Sequence, residues 1–471
     1  MNQVKHSLVA LGAGLLASAA SGQSFTTVGT GGAARDWAVN QDNILISGSP
    51  DYIYVVSTGT TIPIGVGGDS PVALADSGQV LGETPDLSGP DTSGIWIPDA
   101  WTSLGGIATS GCPDLSSPYD LSDDGMVATG LGWEGCSGRA YKWTPGTGMV
   151  ALGQIGPNSA RGNVVSGDGS TIGGWDEDDT GPRRASIWYS DGTELLVNVT
   201  GTNPTGIGEV WGLSTDGSWA CGSSQSGEGP FLYSQATGNI NLGLPGPLGI
   251  FDVSQANGVS DDGKVVVGIQ GSAFGTPPRA FIWTATGGMR WLDEYLTDLG
   301  VTLPGGAGLS SAVEVSPDGT KILGTYDMGP FSPQNAFIAE IPAQPSWEQY
   351  GTGLGGVNSL DLDGGGTTAV GGVFDATTSG ITFTATFSAT GLSAAQSSFP
   401  LFGGTGLINP GQLFATVTGS PGGTGSVTNN IPIPSDPDLF GLTVYLQSLT
   451  DDLSQPQLFA LSNGLAVTIC L

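Results

Sequence analysis

A chain of 471 residues with 81 glycines and 30 prolines is dominated by turn formers, yet its 12 tryptophans and regular apolar runs supply the side chains that a disordered chain lacks. A formal charge of -31, from 42 acidic against 11 basic residues, repels phosphate backbones and anionic membrane surfaces, so no nucleic-acid partner is expected and the acidity speaks first to solubility. Many short strands joined by tight turns reconcile these facts and predict an all-β fold.

Residues 1–22 read as a secretory signal peptide. Lys5 and His6 precede an apolar run from Leu8 to Ala19 that is too short to span a bilayer, and the small residues up to Gly22 set cleavage before Gln23. No later apolar stretch is long enough for a membrane helix, so the expected protein is extracellular, soluble or at a cell surface, with no membrane span. His6 is the only histidine. Its loss with the leader excludes a Ser-His-Asp triad, a Cys-His dyad and His-ligated zinc or copper from the mature chain.

From residue 23 to 342 one unit recurs. It is clearest at Gly258-Val259-Ser260-Asp261-Asp262-Gly263-Lys264-Val265-Val266-Val267-Gly268, with copies at 39–48, 73–82, 121–130, 165–174, 213–222 and 315–324. The turn position falls at 43 (Asn43), 78, 125, 169, 217, 263 and 319, a spacing of 35 to 56 residues. Asp-Gly supplies the positive φ of a tight hairpin between apolar strands. An aromatic strand and a further hairpin strand follow each copy, as in Ala140-Tyr141-Lys142-Trp143 with Gly148-Met149-Val150-Ala151. Four strands per unit, seven units and this period predict a seven-bladed β-propeller. The last unit lacks a clean fourth strand, and Ser24-Phe25-Thr26-Thr27-Val28-Gly29 is an orphan strand, so the N-terminal strand is expected to complete that unit and hide two sheet edges.

The unit resembles the extracellular HAF-repeat family of bacterial propeller-like proteins, named for a His-Ala-Phe tripeptide. The matching positions read Arg279-Ala280-Phe281, Asn335-Ala336-Phe337 and Arg139-Ala140-Tyr141, with Trp-Thr following at Trp143-Thr144 and Trp283-Thr284; the histidine is replaced throughout. The resemblance covers residues 24–342 and implies a secreted propeller-type fold without an agreed catalytic site. From 345 to 471 the chain has no Lys or Arg, and strand-like runs at 357–362, 367–373, 381–388, 413–418, 443–449 and 465–469 predict a small C-terminal β-sandwich. The stretch from Ile431-Pro432-Ile433-Pro434 to Leu461-Ser462-Asn463-Gly464 resembles a C-terminal module of secreted planctomycete-type bacterial proteins, which implies attachment or stabilisation.

Few residues are marked for chemistry. Cys112 and Cys136 fall in connections that emerge on one face of the same unit and are expected to pair as a disulfide, which a secreted setting permits; Cys221 and Cys470, inside strands, read as buried thiols. Trp133 and Trp175, placed in loops between the second and third strands, are candidate platforms for a sugar or a partner. Asp176, Asp178 and Asp179 beside Trp175 are candidate binding residues. Asp176 and Asp178, and separately Asp361 and Asp363 in a partial match to a calcium loop, are the carboxylates that a calcium cofactor would use. No pair of acids is marked as catalytic. The expected function is a non-enzymatic binding or cell-surface structural propeller that recognises an extracellular protein or glycan; the alternative is a carboxylate-based polysaccharide hydrolase.

Overall fold

The computed structural model describes residues 23–341 except 39–41, 65–69, 85–91, 99, 108–114, 198–207, 225–228, 273–274, 286 and 330–331, and beyond them residues 342 and 395 and the strands given below. The expected leader lies outside the described residues. Gln23–Ile341 forms one compact unit, and the chain from Pro342 onward belongs to a second.

The first unit is seven four-stranded antiparallel sheets. A strand β1 (Ser24–Thr30) precedes sheet one, which is β2 (Gly32–Trp37), β3 (Asn43–Gly48), β4 (Tyr52–Val55) and β5 (Thr60–Pro63). Sheet two is β6 (Ala73–Leu74), β7 (Val80–Glu83), β8 (Ser93–Ile97) and β9 (Ala100–Ser103), and sheet three is β10 (Ser116–Leu121), β11 (Ala128–Glu134), β12 (Ser137–Thr144) and β13 (Gly148–Ala151). Sheet four is β14 (Ala160–Val165), β15 (Thr171–Glu177), β16 (Arg183–Tyr189) and β17 (Glu194–Leu196), and sheet five is β18 (Gly208–Leu213), β19 (Trp219–Ser224), β20 (Phe231–Ser234) and β21 (Gly238–Asn241). Sheet six is β22 (Val253–Val259), β23 (Val265–Gly271), β24 (Arg279–Thr284) and β25 (Gly288–Trp291), followed by a short helix α1 (Leu292–Asp298). Sheet seven is β26 (Gly308–Val315), β27 (Lys321–Asp327) and β28 (Asn335–Glu340), with β1 as its fourth strand, paired from Ser24 opposite Glu340 to Thr30 opposite Asn335.

Local chemistry explains why the hairpins repeat. In five copies a serine hydroxyl (Ser122, Ser166, Ser214, Ser260, Ser316) donates to the Oδ1 of the aspartate two residues on, at 2.6 to 2.9 Å. The same hydroxyl accepts the N–H five residues on, at 2.9 to 3.0 Å, which closes the turn around its own side chain. The glycine of this turn, from Gly78 to Gly319, has φ between 68° and 81°, where a side chain would be strained. Neighbouring turns are also tied to each other: Asp76 N donates to Asp123 O at 2.8 Å, Asp123 N to Gly167 O at 3.0 Å and Asp261 N to Pro317 O at 2.9 Å.

Packing follows the chain. Each consecutive pair of sheets shares an apolar cluster, and sheets seven and one share another in which Val28 meets Ala34, Trp37, Ile44, Ile46, Leu323 and Ile338. The third-strand aromatics predicted as core include Trp96 and Trp188, each 3% exposed, while Trp143 and Trp283 are half-buried. The helix α1 was not foreseen. It occupies the long 263-to-319 interval and buries Leu292 and Leu296 in the cluster between sheets six and seven.

In the second unit, β29 (Ser346–Tyr350), β30 (Asp361–Gly366), β31 (Val373–Ser379), β32 (Ser388–Ser393), β33 (Gln396–Leu401), β34 (Gly404–Ile408), β35 (Leu413–Gly419), β36 (Ser426–Pro432), β37 (Thr443–Asp451) and β38 (Phe459–Thr468) form sheets ordered β29-β38-β37-β32-β35, β30-β31-β36 and β33-β34. Leu362, Phe374 and Ala376 of the three-stranded sheet share one core with Leu392, Leu446, Leu465 and Val467 of the five-stranded sheet. The expected runs at 413–418 and 443–449 fall on β35 and β37, 465–468 on β38 and 361–362 on β30; 357–360, 367–372, 381–387 and 469 lie outside the described residues.

The seam between β1 and β28 carries a specific aromatic contact. Phe25 stacks on Phe337 with ring centres 4.8 Å apart and meets Tyr326 edge-on at 5.6 Å. Phe25→Ala is expected to lower the unfolding free energy by about 2–4 kcal/mol in urea titrations. A loss no larger than that of an ordinary surface change, about 0.5 kcal/mol, contradicts a structural role for β1.

Candidate functional site

The first strand of a sheet has a partner on one side only, and its other edge must find hydrogen bonds elsewhere. In this unit the first strands of all seven sheets line one cavity of about 660 Å³. Six of these strands carry a register irregularity at one equivalent place, between Ala34 and Asp36, Pro118 and Asp120, Gly162 and Val164, Val210 and Gly212, Ala256 and Gly258, and Ala312 and Glu314. A bulge re-aims the extra residue. The residues at this place, three before the turn serine or its equivalent, are Arg35, Val72, Tyr119, Asn163, Trp211, Asn257 and Val313, and all seven line the cavity.

The next position holds three of the cavity's acids, Asp36, Asp120 and Glu314, and they are occupied. Asp36 accepts Trp37 N at 2.8 Å through Oδ1 and Leu74 N of the next first strand at 2.6 Å through Oδ2. Asp120 repeats the device, accepting Leu121 N at 2.9 Å and Val165 N of the next first strand at 2.7 Å. Where the bulge residue is asparagine, its amide reaches a carbonyl instead: Asn163 Nδ2 donates to Val210 O at 2.9 Å and Asn257 Nδ2 to Ala312 O at 2.8 Å. At Gly212 no bridge fits, because a Cβ there would stand 2.3 Å from Asn257 O.

These acids are pushed toward their neutral forms. Desolvation raises Asp36 to about 6 against its hydrogen bonds, among them one with Glu314. Desolvation, then the charge of Asp36, raises Glu314 and Asp120 well above the ordinary carboxylate range. Desolvation, followed by the charges of Asp76, Asp36, Asp124 and Asp261, raises Asp123 to about 7.

A second charged cluster adjoins the cavity. The Arg161 guanidinium carbon lies 4.5 Å from the Tyr119 ring centre and 5.4 Å from those of Trp175 and Trp211. Arg183 lies 4.2 Å from the Trp175 ring centre. Glu209, only 4% exposed, accepts from Arg161 at 3.0 Å and Arg183 at 2.7 Å, so the cluster is internally neutralised in part and fixed between sheets four and five.

The residues singled out from sequence are placed as follows. Trp175 is a residue of β15, not of a loop, and is 4% exposed beneath the two arginines. Trp133 is half-buried in β11. Asp176 is also in β15 and fully buried; its Oδ2 accepts Ile155 N at 2.9 Å, and desolvation raises it to about 6 and its hydrogen-bond partner Glu194 to about 7. Asp178 is held at about 2 by Thr180 and by Arg184 at 2.7 Å, and Asp179 is exposed. Asp176 is buried on Ile155 N, Asp178 is paired with Arg184 and Asp179 is exposed, so the three engage different partners. Asp361 and Asp363 lie in β30. Among the described residues no group of three or more His, Cys, Asp or Glu is arranged to hold a metal ion. Cys136 is disulfide-bonded; Cys112 and Cys470 lie outside the described residues, and Cys221 is a buried free thiol.

No protein-family model and no curated protein matches the chain. Solved structures with similar folds include TolB from Acinetobacter baumannii (16% identity, 42% of this chain and 50% of that one, TM-score 0.33). Others are the β-propeller domain of Cps50 (Swd1) from Myceliophteria thermophila (9% identity, 67% and 98%, TM-score 0.40) and the β-propeller domain of the Trilobed protease from Pyrococcus furiosus (10% identity, 66% and 91%, TM-score 0.36). The chain thus spans half the length of the first of these. At such TM-scores the architecture rests on the sheets themselves.

Raised carboxyls make the folded state hold protons that the unfolded chain releases, so stability falls as pH rises from about 4 through about 7. The turn aspartates act oppositely: despite desolvation, hydrogen bonds from Ser166 and Ser170 hold Asp168 below its ordinary value, and Asp216 and Asp318 are lowered in the same way by their own turns. Their contribution is lost as pH falls below about 4. The melting temperature is therefore expected to climb from pH 8 to pH 5 and to drop again below pH 4, with Asp123→Asn flattening the climb. A melting temperature that is constant or falls between pH 8 and pH 5 contradicts this assignment.

Proposed function

We propose that this chain is a secreted, non-enzymatic binding protein, a closed seven-bladed β-propeller of the HAF-repeat type followed by a C-terminal β-sandwich, and that it takes an extracellular glycan or protein partner at the cavity. The closed ring is supported by the pairing of β1 with β28 and by the apolar cluster that joins sheets seven and one. The C-terminal sandwich is supported by the core that its two larger sheets share, and its role is attachment or stabilisation.

One observation carries the choice of binding over hydrolysis. Two of the cavity's carboxylates are engaged in joining neighbouring first strands, with both oxygens of Asp36 and of Asp120 accepting backbone N–H groups. Asp36 and Glu314 perturb each other's titration, and desolvation raises both. A glycosidase keeps two carboxyls free on either side of the sugar, about 5–9 Å apart, and Asp36 and Asp120, tied to backbone N–H groups through both oxygens, are not free in that way. What the cavity offers instead is a bulge-borne aromatic pair, Tyr119 and Trp211, in a volume suited to a small ligand or to the end of a larger one.

The test is a panel of extracellular polysaccharides and oligosaccharides, assayed together for binding and for released sugar. Binding without release is expected, and Trp211→Ala should weaken it about tenfold or more. Released sugar establishes the hydrolase instead. Neither binding nor release, with a protein panel equally silent, leaves a structural cell-surface protein.

A further inference from the structure

The hydrogen-bonding groups of the cavity are unevenly used. Four of its acceptor groups at the bulge and the adjoining position are occupied: both oxygens of Asp36 and of Asp120 as above, Asn163 Oδ1 by Arg161 Nε at 2.6 Å, and Asn257 Oδ1 by Gln255 Nε2 at 2.8 Å. Its donors are not. Trp211 Nε1 is buried without an acceptor among the described residues. The Tyr119 hydroxyl accepts from Arg161 Nη1 at 3.0 Å, which leaves its own proton to give away.

Arg35 is the third donor. Six of the seven arginines, Arg139, Arg161, Arg183, Arg184, Arg279 and Arg290, are ion-paired with an acid. Arg35 is exposed, lines the cavity and has no acid partner among the described residues. In a chain of net charge -31, an arginine left without a carboxylate is the exception that asks for one.

We infer that Arg35 receives the carboxylate of an acidic saccharide, a uronic-acid residue whose ring lies against Tyr119 and Trp211. The inference rests on the cavity being the ligand site. One unpaired guanidinium matches one negative charge, and its planar fork fits a carboxylate through two parallel bonds. A dianionic group would bring a second charge toward Asp36, Asp120 and Glu314. The neutralising push of burial on those three acids lowers the repulsion that a single carboxylate meets. A peptide fits less well. Each of its backbone N–H groups demands an acceptor, and the acceptors of Asp36, Asp120, Asn163 and Asn257 are already engaged. Sugar hydroxyls accept as readily as they donate, so they suit a site rich in unused donors.

The experiment uses the full chain and calorimetric titration with three probes: a uronic-acid disaccharide, its neutral counterpart of the same linkage, and an acidic tripeptide. The uronate is expected to bind about tenfold or more tightly than the neutral sugar, as a charge-assisted pair should. Arg35→Gln should bring the uronate down to the neutral sugar's affinity, and Arg35→Lys should restore part of the difference; equal melting temperatures of both variants and the native protein exclude misfolding as the cause. Equal affinity for the two sugars overturns this inference and leaves the ligand site standing. A tripeptide that binds as tightly as the uronate overturns the saccharide assignment. Silence from all three probes overturns the inference and argues against the cavity as a ligand site.

Discussion

The unpaired edge of each first strand is the constraint from which the rest of the molecule follows. Seven such edges face one cavity, and backbone N–H and C=O groups there need partners that the sheets do not provide. The chain supplies partners from the neighbouring first strand, by carboxylate at Asp36 and Asp120 and by amide at Asn163 and Asn257. Bulges just before these positions turn one residue per strand toward the cavity and the next one toward the adjoining sheet.

That division of labour decides how the acidity is read. A cavity lined by acids invites a hydrolytic interpretation, because raised carboxyls in a cleft are frequent catalytic groups. Here Asp36 and Asp120 join neighbouring first strands, and desolvation raises both against those hydrogen bonds. Arg35, Tyr119 and Trp211 line the cavity without joining first strands in this way, which is why recognition is the function proposed for it. Arg161, Arg183 and Glu209 hold Trp175 and brace the two aromatic residues from outside the cavity.

Much of the fold was legible because its controlling chemistry is local. The Ser-x-Asp-Gly turn closes through atoms within five residues, so its copies could be counted by eye, and the orphan strand around Phe25 marked the seam in which it pairs. The helix α1 was hidden within an interval read only as a long spacing. The crowded charges around Trp175 and Asp176 resemble a loop in sequence, but β15 runs on to Glu177, and the salt bridges of Arg183 and Arg184 satisfy those charges. The site residues were missed because a bulge breaks the alternation on which strand reading depends. Aligning the seven copies on the turn serine shows the signal that was there: a column of Arg35, Val72, Tyr119, Asn163, Trp211, Asn257 and Val313, polar or aromatic in five places inside an otherwise apolar repeat.

Asp120→Asn tests the edge constraint directly, because asparagine keeps the shape and replaces one acceptor oxygen with a donor. The account predicts a loss of about 1–3 kcal/mol in unfolding free energy, from a backbone N–H left facing an amide N–H. Unchanged stability together with the loss of a measurable hydrolytic or binding activity contradicts it and makes Asp120 a functional residue instead.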